Sequence, residues 1–132
     1  LSPPQFDEYV LPSLKRQSEQ LDNVLFHLDG PECICHVDSL MTVDNIAAIQ
    51  WTPGARNPFE GDECWDDLYA KIRAADKGLW LGMGGYPFEE AVARAERLVK
   101  KFGAKGFYFH FPTMTPEQAD QLLLKAEREW KD

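Results

Sequence analysis

Short apolar segments alternate regularly with amphipathic helical segments along the chain. Each of four segments rich in β-branched, aromatic and leucine residues ends near glycine, proline or polar residues, and a stretch with helical spacing follows it. The predicted strands are Val24–Leu28, Ile46–Trp51, Leu79–Met83 and Gly106–Phe111. Because strands that alternate with helices form parallel sheets with right-handed crossovers, we predict an α/β protein with four parallel strands.

The helices are predicted from their start and stop signals. A first helix begins at Ser2, which forms a capping box with Gln5, and it runs to about Leu21 with a kink or break at Pro12. The clearest helix is Phe88–Phe102, with glutamates in its first turn and lysines in its last. The other helices are predicted over Cys33–Met41, Cys64–Ala75 and Thr115 to about Trp130.

Four units that wind in the same direction place every helix on one side of the sheet and leave the other side open to water. A (β/α)8 barrel closes over that side, but it needs roughly 200 residues or more, and this chain has 132. We therefore favour a single domain over residues 1–132 that is half of a (β/α)8 barrel. Missing sequence or a second copy would complete it. The alternative is a small open parallel sheet, including one doubly wound by a reversal of strand order.

The composition favours some classes of partner over others. The chain has 14 basic and 22 acidic residues, for a net charge of −8, which disfavours nucleic acids and anionic membranes as partners. No apolar run reaches membrane-spanning length, and no signal-peptide pattern opens the chain. Cys33, Cys35 and Cys64 are too few for a disulfide scaffold. These features lead us to expect a reduced, cytoplasmic setting.

A histidine and a carboxylate lie at the end of the first predicted strand. His27 and Asp29 share one face of this strand with Leu25, and Gly30 ends it. Ligands and chemistry gather at the carboxyl ends of strands in α/β proteins. We therefore predict that His27 and Asp29 are catalytic or ligand-binding residues. The alternative is a structural pair in which Asp29 caps the next helix and His27 bonds a backbone carbonyl.

The loops after the second and third strands supply candidates for substrate binding. Gln50 and Trp51 end the second strand, so one of them faces the pocket, and Trp51 is either a stacking wall or a core aromatic. Arg56 in the following loop is suited to hold a carboxylate, with a solvated loop arginine as the alternative. Tyr86 closes a glycine-rich segment where a ligand can approach the backbone N–H groups that begin the Phe88 helix.

Two further groups of residues suggest metal ligands. His110 in the last strand shares a face with Tyr108, which places it either at the same pocket or in the core. Cys33-Ile34-Cys35-His36 lies on a predicted helix, where residues two apart point in different directions, so ordinary packing is favoured there.

Three segments of the chain resemble the uroporphyrinogen decarboxylase superfamily, in particular its branch near the corrinoid-dependent methyltransferases. They are His27-Leu28-Asp29-Gly30-Pro31, His36-Val37-Asp38 and Ala48-Ile49-Gln50-Trp51-Thr52-Pro53-Gly54. The opening Ser2-Pro3-Pro4-Gln5-Phe6 with Val10-Leu11-Pro12 is similar to that family's helix before its fifth strand. The resemblance covers nearly the whole chain, but only the C-terminal half of the family's barrel.

The resemblance implies a methyltransferase that activates an acceptor at a metal or His/Asp site, with the methyl group supplied by a corrinoid on a partner protein. In the methyltransferase members a His-x-Cys-Gly motif binds zinc. Here His27 matches the histidine and Asp29 replaces the cysteine. With His110 these residues would hold zinc or another divalent metal.

Two alternatives remain open. A decarboxylase or other lyase of the same superfamily would use Arg56 and His27 on a carboxylated substrate, although the family's Gly-His-Gly loop is missing after Phe109-His110-Phe111. A non-catalytic half-barrel would bind a small ligand or a partner subunit.

Overall fold

The computed structural model describes all 132 residues, and its sheet has four parallel strands. The strands are β1 (Val24–Asp29), β2 (Ile46–Thr52), β3 (Gly78–Gly82) and β4 (Phe107–His110). They lie side by side in the order β1-β2-β3-β4. This confirms the predicted parallel α/β sheet. Because the strand order never reverses, the sheet is open and singly wound, and the doubly wound alternative is wrong.

Six α-helices accompany the sheet, and none combines the length and hydropathy that crossing a lipid bilayer requires. They are α1 (Pro3–Gln5), α2 (Leu11–Ser18), α3 (Val37–Leu40), α4 (Asp66–Ala74), α5 (Phe88–Phe102) and α6 (Pro116–Glu129). Short 3-10 helices, Pro31–His36 and Glu63–Trp65, lead into α3 and α4. The predicted Cys33–Met41 helix is therefore a 3-10 segment followed by a single α-helical turn.

The predicted interruption near Pro12 takes the form of a π-helical turn, Phe6–Val10, in which the Leu11 N–H donates to the Phe6 carbonyl. Proline has no N–H to donate to the preceding turn, and a wider turn accommodates it. The predicted capping box of Ser2 with Gln5 is present, and α6 begins with another at Thr115. The Gln118 N–H donates to Thr115 Oγ1 at 3.2 Å, and the Thr115 N–H donates to Gln118 Oε1 at 2.9 Å.

One side of the sheet is buried beneath the helices. Leu28, Ile49, Trp51, Leu79 and Leu81 are each at most 2% exposed. They share a core with apolar side chains of α3, α4 and α5, and Trp130 packs against Phe109 of β4. Full burial of such a side chain contributes about 1.5–3 kcal/mol to stability. All the helices that follow strands therefore lie on this side, as same-handed crossovers require.

The other side of the sheet carries no helix. We call it the open face, and its residues are Leu25, His27, Asp29, Ala48, Gln50, Thr52, Gly78, Trp80, Gly82, Tyr108 and His110. Leu25 is 45% exposed and Tyr108 is 58% exposed. An apolar hollow of about 550 Å³ lies at the amino end of this face, between Leu25, Trp80 and Tyr108. The open face thus leaves large apolar side chains in contact with water.

Asp66, at the start of α4, joins that helix to α5. Arg97 donates three hydrogen bonds to its carboxylate, one at 2.8 Å and two at 3.1 Å, and Lys101 donates a fourth at 2.7 Å. Burial alone would raise the pKa of Asp66, but the hydrogen bonds and charges of Arg97 and Lys101 outweigh burial and hold this pKa below 3.8. The folded protein therefore favours the ionised carboxylate.

We expect Asp66→Asn to lower the free energy of unfolding by about 1 kcal/mol at pH 7, because the cations that it loses are partly exposed and screened. The pKa of Asp66 is lower in the folded than in the unfolded state, so its contribution is present above 3.8 and disappears as the pH falls through the lower folded value. Urea unfolding at pH 7 and pH 2 measures this, with Asp67→Asn in the same helical turn as the control. An equal loss at both pH values would contradict the prediction.

Candidate functional site

Polar side chains from several strands gather at the carboxyl end of the open face. Asp29 pairs in register with Thr52, and Gly82 pairs with His110. Trp51 of β2 pairs with Leu81 of β3, so the residues that follow them, Thr52 and Gly82, lie beside each other. We call the row Asp29, Thr52, Gly82 and His110 the carboxyl edge. The next row towards the amino ends is His27, Gln50, Trp80 and Tyr108.

His27 is held by a hydrogen bond across the first two strands. Its Nδ1 lies 3.1 Å from Gln50 Oε1. With the amide oxygen as acceptor, Nδ1 carries the proton and Nε2 keeps its lone pair. The His27 ring is exposed on the open face, so this lone pair is accessible to a proton or a ligand. His27 is therefore bonded to a side-chain amide and not to a backbone carbonyl, and its functional role stays a prediction.

Asp29 lies at the end of β1 with an exposed carboxylate that has no hydrogen-bond or ion-pair partner. It does not cap the following 3-10 helix, whose N-cap position is Gly30. Gly30 has φ 86° and ψ 153°, a conformation that is essentially restricted to glycine, and its N–H donates to the Thr52 carbonyl at 2.8 Å. This turn fixes where the strand ends and keeps Asp29 at the carboxyl edge.

The structure separates His110 from His27 and Asp29. β1 and β4 are the two outer strands, and three strand spacings place them about 14 Å apart along the sheet, far beyond the reach of metal bonds of about 2 Å. No group of three or more His, Cys, Asp or Glu side chains is arranged to hold a metal ion. The predicted ligands His27, Asp29 and His110 do not converge within one chain. We therefore derive no step through a metal.

Of the two candidates that end β2, only Gln50 lies on the open face. Trp51 is fully buried in the helix-side core, with its ring at 5.0 Å from that of Trp65 in an edge-on arrangement. The prediction that Trp51 binds substrate is corrected accordingly, because no ligand on the open face can contact this side chain. Its role is to fill the core.

The two loop candidates, Arg56 and Tyr86, differ in whether their polar groups are available to a ligand. Arg56 is exposed and has no ion-pair partner, so its guanidinium is available to a ligand. Tyr86 is half-buried, its hydroxyl donates to the Phe59 carbonyl at 3.2 Å, and the Arg94 guanidinium lies 4.3 Å from its ring centroid. Tyr86 therefore holds two loops together, and its hydroxyl is already engaged.

Within the Cys33–His36 segment, His36 shows the packing role that the sequence favours, whereas Cys35 is exposed. His36 is buried and stacks on the ring of Phe6, with 4.4 Å between the ring centroids. It therefore fixes the first helix against the segment after β1.

Sequence reasoning missed Glu60, in the loop after β2. Its Oε1 lies 3.0 Å from the position that a Cβ of Gly82 would occupy on the open face. Burial raises the pKa of Glu60 above 4.5, and a hydrogen bond from its own backbone N–H opposes that effect. The only sequence signal is Gly82 itself, since a glycine inside a strand marks a close approach by another group without identifying it.

Comparisons of the chain with protein-family models, with curated proteins and with solved structures found no match. The resemblance to the uroporphyrinogen decarboxylase superfamily therefore stays a prediction from the sequence segments around His27, His36 and Gln50 and from the opening segment up to Pro12.

Proposed function

We propose that this chain is half of a (β/α)8 barrel and that its carboxyl edge supplies one half of an active site. Three observations support the proposal. The strands follow one another in order, their helices share one side, and the outer strands β1 and β4 keep unpaired edges. A second parallel half would pair with both edges and cover Leu25, Trp80 and Tyr108, which otherwise remain in water. In such a barrel the open face is the interior, and ligands bind at its carboxyl end.

We propose methyl transfer as the chemistry, on the resemblance to the corrinoid-dependent methyltransferases. The observation that carries this proposal is the bond from His27 Nδ1 to Gln50, which leaves Nε2 free. Through Nε2, His27 would accept the proton of an acceptor thiol or alcohol, and the resulting anion would take up the methyl group as its bond to the donor breaks, with the electron pair of that bond staying on the donor. Asp29 on the same face stabilises the imidazolium that forms. A corrinoid on a partner protein supplies an electrophilic methyl group when bound, and none of the residues described here is assigned to hold it.

We expect His27→Ala to slow methyl transfer by about 10²–10⁴-fold, the usual contribution of a positioned base. The assay uses the purified chain with methylcobalamin and a panel of small thiols, and it follows the methylated thiol by mass spectrometry. Asp44→Asn, an exposed carboxylate before β2, serves as the control and keeps the wild-type rate. Equal rates for wild type and His27→Ala, or no methyl transfer by either, would overturn this chemistry.

Decarboxylation of a carboxylated substrate is the second candidate, and Arg56 favours it. Arg56 is the one lysine or arginine in the loops that follow the four strands at the carboxyl edge. An unpaired guanidinium binds a carboxylate through two parallel hydrogen bonds. Release of carbon dioxide from a panel of di- and tricarboxylic acids, lost in Arg56→Gln, would establish this reaction instead. If neither reaction occurs, the third interpretation applies, in which the half-barrel binds a ligand or a subunit without catalysis.

A further inference from the structure

Glu60 reaches the open face although it belongs to none of the strands. A Cβ built on Gly82 would lie 3.0 Å from Glu60 Oε1 and 3.5 Å from Cδ. Position 82 shares its face with Trp80, two residues earlier in β3, so the carboxyl group occupies the space that a side chain of residue 82 would fill. His110 is the register partner of Gly82 on the neighbouring strand. The carboxyl edge therefore holds a second acidic group, on the opposite half of the sheet from Asp29.

The backbone around Glu60 is held more firmly than an exposed loop requires. Three consecutive carbonyls, those of Phe59, Glu60 and Gly61, each accept hydrogen bonds from side chains. The hydroxyls of Tyr86 and Tyr69 donate to the first two carbonyls. Arg94 and Arg97 both donate to the third, at 3.3 Å. A side chain carried by such a fixed segment is positioned before any ligand arrives, which is what proton transfer requires.

No cation neutralises the Glu60 carboxyl group. Arg94 is paired with Glu90 and Asp62, and Arg97 is paired with Asp66. The titratable groups that interact with Glu60 are Tyr69 from α4 and Tyr86 from the loop after β3. Nearby, Arg94 and Arg97 of α5 donate to the Gly61 carbonyl, Asp62 lies two residues along the chain, and His110 is the register partner of Gly82. A half-buried carboxyl group without a cation retains its proton to a higher pH than an exposed one.

We propose that Glu60 is a proton donor to a substrate atom bound over Gly82, between Thr52 and His110. The Glu60 O–H bond breaks as the proton passes to the substrate atom that holds the electron pair left by bond cleavage. The carboxylate then takes a proton from water. This inference rests on the part of the proposed function that places a substrate on the open face, and not on methyl transfer.

A proton donor at this position distinguishes the two candidate reactions. Methyl transfer to a thiol removes one proton from the acceptor, and His27 suffices for that step. Decarboxylation breaks a carbon–carbon bond, releases carbon dioxide and leaves an electron pair on carbon, which must receive a proton. With Arg56 as the carboxylate-binding group, Glu60 supplies that proton. The inference therefore favours the decarboxylation candidate.

The first test measures the state of the carboxyl group without a substrate. Carbon-13 NMR of the full chain, labelled at glutamate carboxyl carbons, is followed from pH 3 to pH 8. Glu60→Gln identifies the Glu60 resonance by its loss, and Glu63→Gln identifies an exposed carboxyl group three residues away. We expect the Glu60 carboxyl to titrate at a higher pH than that of Glu63. Coincident titration of the two groups would overturn the proposal.

The second test measures carbon dioxide release from the panel of di- and tricarboxylic acids between pH 5 and pH 8. We expect Glu60→Gln to lower kcat by about 10²–10⁴-fold with little change in KM, and to abolish the fall in rate at high pH, while Glu63→Gln behaves as wild type. An unchanged rate and pH profile in Glu60→Gln would overturn the role of Glu60 and leave decarboxylation standing. No release by wild type from any of the acids would overturn decarboxylation itself, and the proton donor with it.

Discussion

We expect Trp51→Ala to lower the free energy of unfolding by about 3–5 kcal/mol, and Trp80→Ala to lower it by about 1 kcal/mol. The two tryptophans lie on adjacent strands but on opposite sides of the sheet. Trp51 is fully buried, so its truncation leaves a cavity among rigid neighbours. Trp80 lies on the open face, where its ring centroid is 5.3 Å from that of Tyr108. The pair therefore measures directly how differently the two faces are packed.

Urea unfolding followed by far-UV circular dichroism provides both values. A domain is typically stable by about 5–15 kcal/mol, so Trp51→Ala can unfold outright, and Trp51→Phe then supplies a smaller loss in the same direction. Equal losses at the two positions would mean that the open face is covered in solution, contrary to the structure. If a complementary half closes the barrel, Trp80→Ala should weaken the association of the halves more than it destabilises the isolated chain.

The strand bounds could be predicted closely from the sequence because local residues determine where each strand ends. Each strand end lies within one residue of its predicted position, since glycine, proline or polar residues interrupt the apolar runs there. Phe88–Phe102 has the predicted bounds, and the Gly103 N–H caps it by donating to the Val99 carbonyl at 2.8 Å. The parallel order follows from the alternation of strands and helices.

The orientation of Gln50 and Trp51 was not predictable by simple alternation. Ile46 and Ile49 are both buried although they are three residues apart, because the register with β1 slips by one residue at Ala47. Such a bulge turns the residues that follow it to the other face, and nothing in this apolar segment marks its position. The strand therefore ends with Gln50, rather than Trp51, beside His27.

Glu60 and the separation of His110 from His27 depend on tertiary structure alone. The position of Glu60 follows from four side chains that fix the carbonyls of its loop, and those side chains belong to segments up to 36 residues away. The distance between the two histidines depends on how many strands lie between them. Each histidine lies near the carboxyl end of its strand, as a site residue is expected to, but the sequence pattern alone does not show which strands are neighbours.

The second large loss of stability is expected on substitution of Tyr69, whose ring and hydroxyl contribute separately to the free energy of unfolding. The residue is fully buried in α4, and its hydroxyl donates to the Glu60 carbonyl. We expect Tyr69→Ala to lower the free energy of unfolding by about 3–5 kcal/mol, since it removes both the packed ring and the hydrogen bond. Tyr69→Phe keeps the ring and leaves the carbonyl without this donor, which should cost about 1–3 kcal/mol. Urea unfolding of both variants separates the two contributions.

The Tyr69 hydroxyl also affects the pKa of Glu60, because it restrains the segment that places the Glu60 carboxyl over Gly82. Burial raises the pKa of Tyr69, so the hydroxyl remains protonated and donates throughout the pH range in which Glu60 titrates. Without that bond the loop loses one of its four side-chain restraints, and we expect the Glu60 carboxyl to gain access to water. Its titration in Tyr69→Phe should shift to lower pH, towards that of Glu63, in the same carbon-13 NMR experiment. An unshifted Glu60 resonance in a folded Tyr69→Phe would show that the Tyr86, Arg94 and Arg97 bonds are enough to position the carboxyl group.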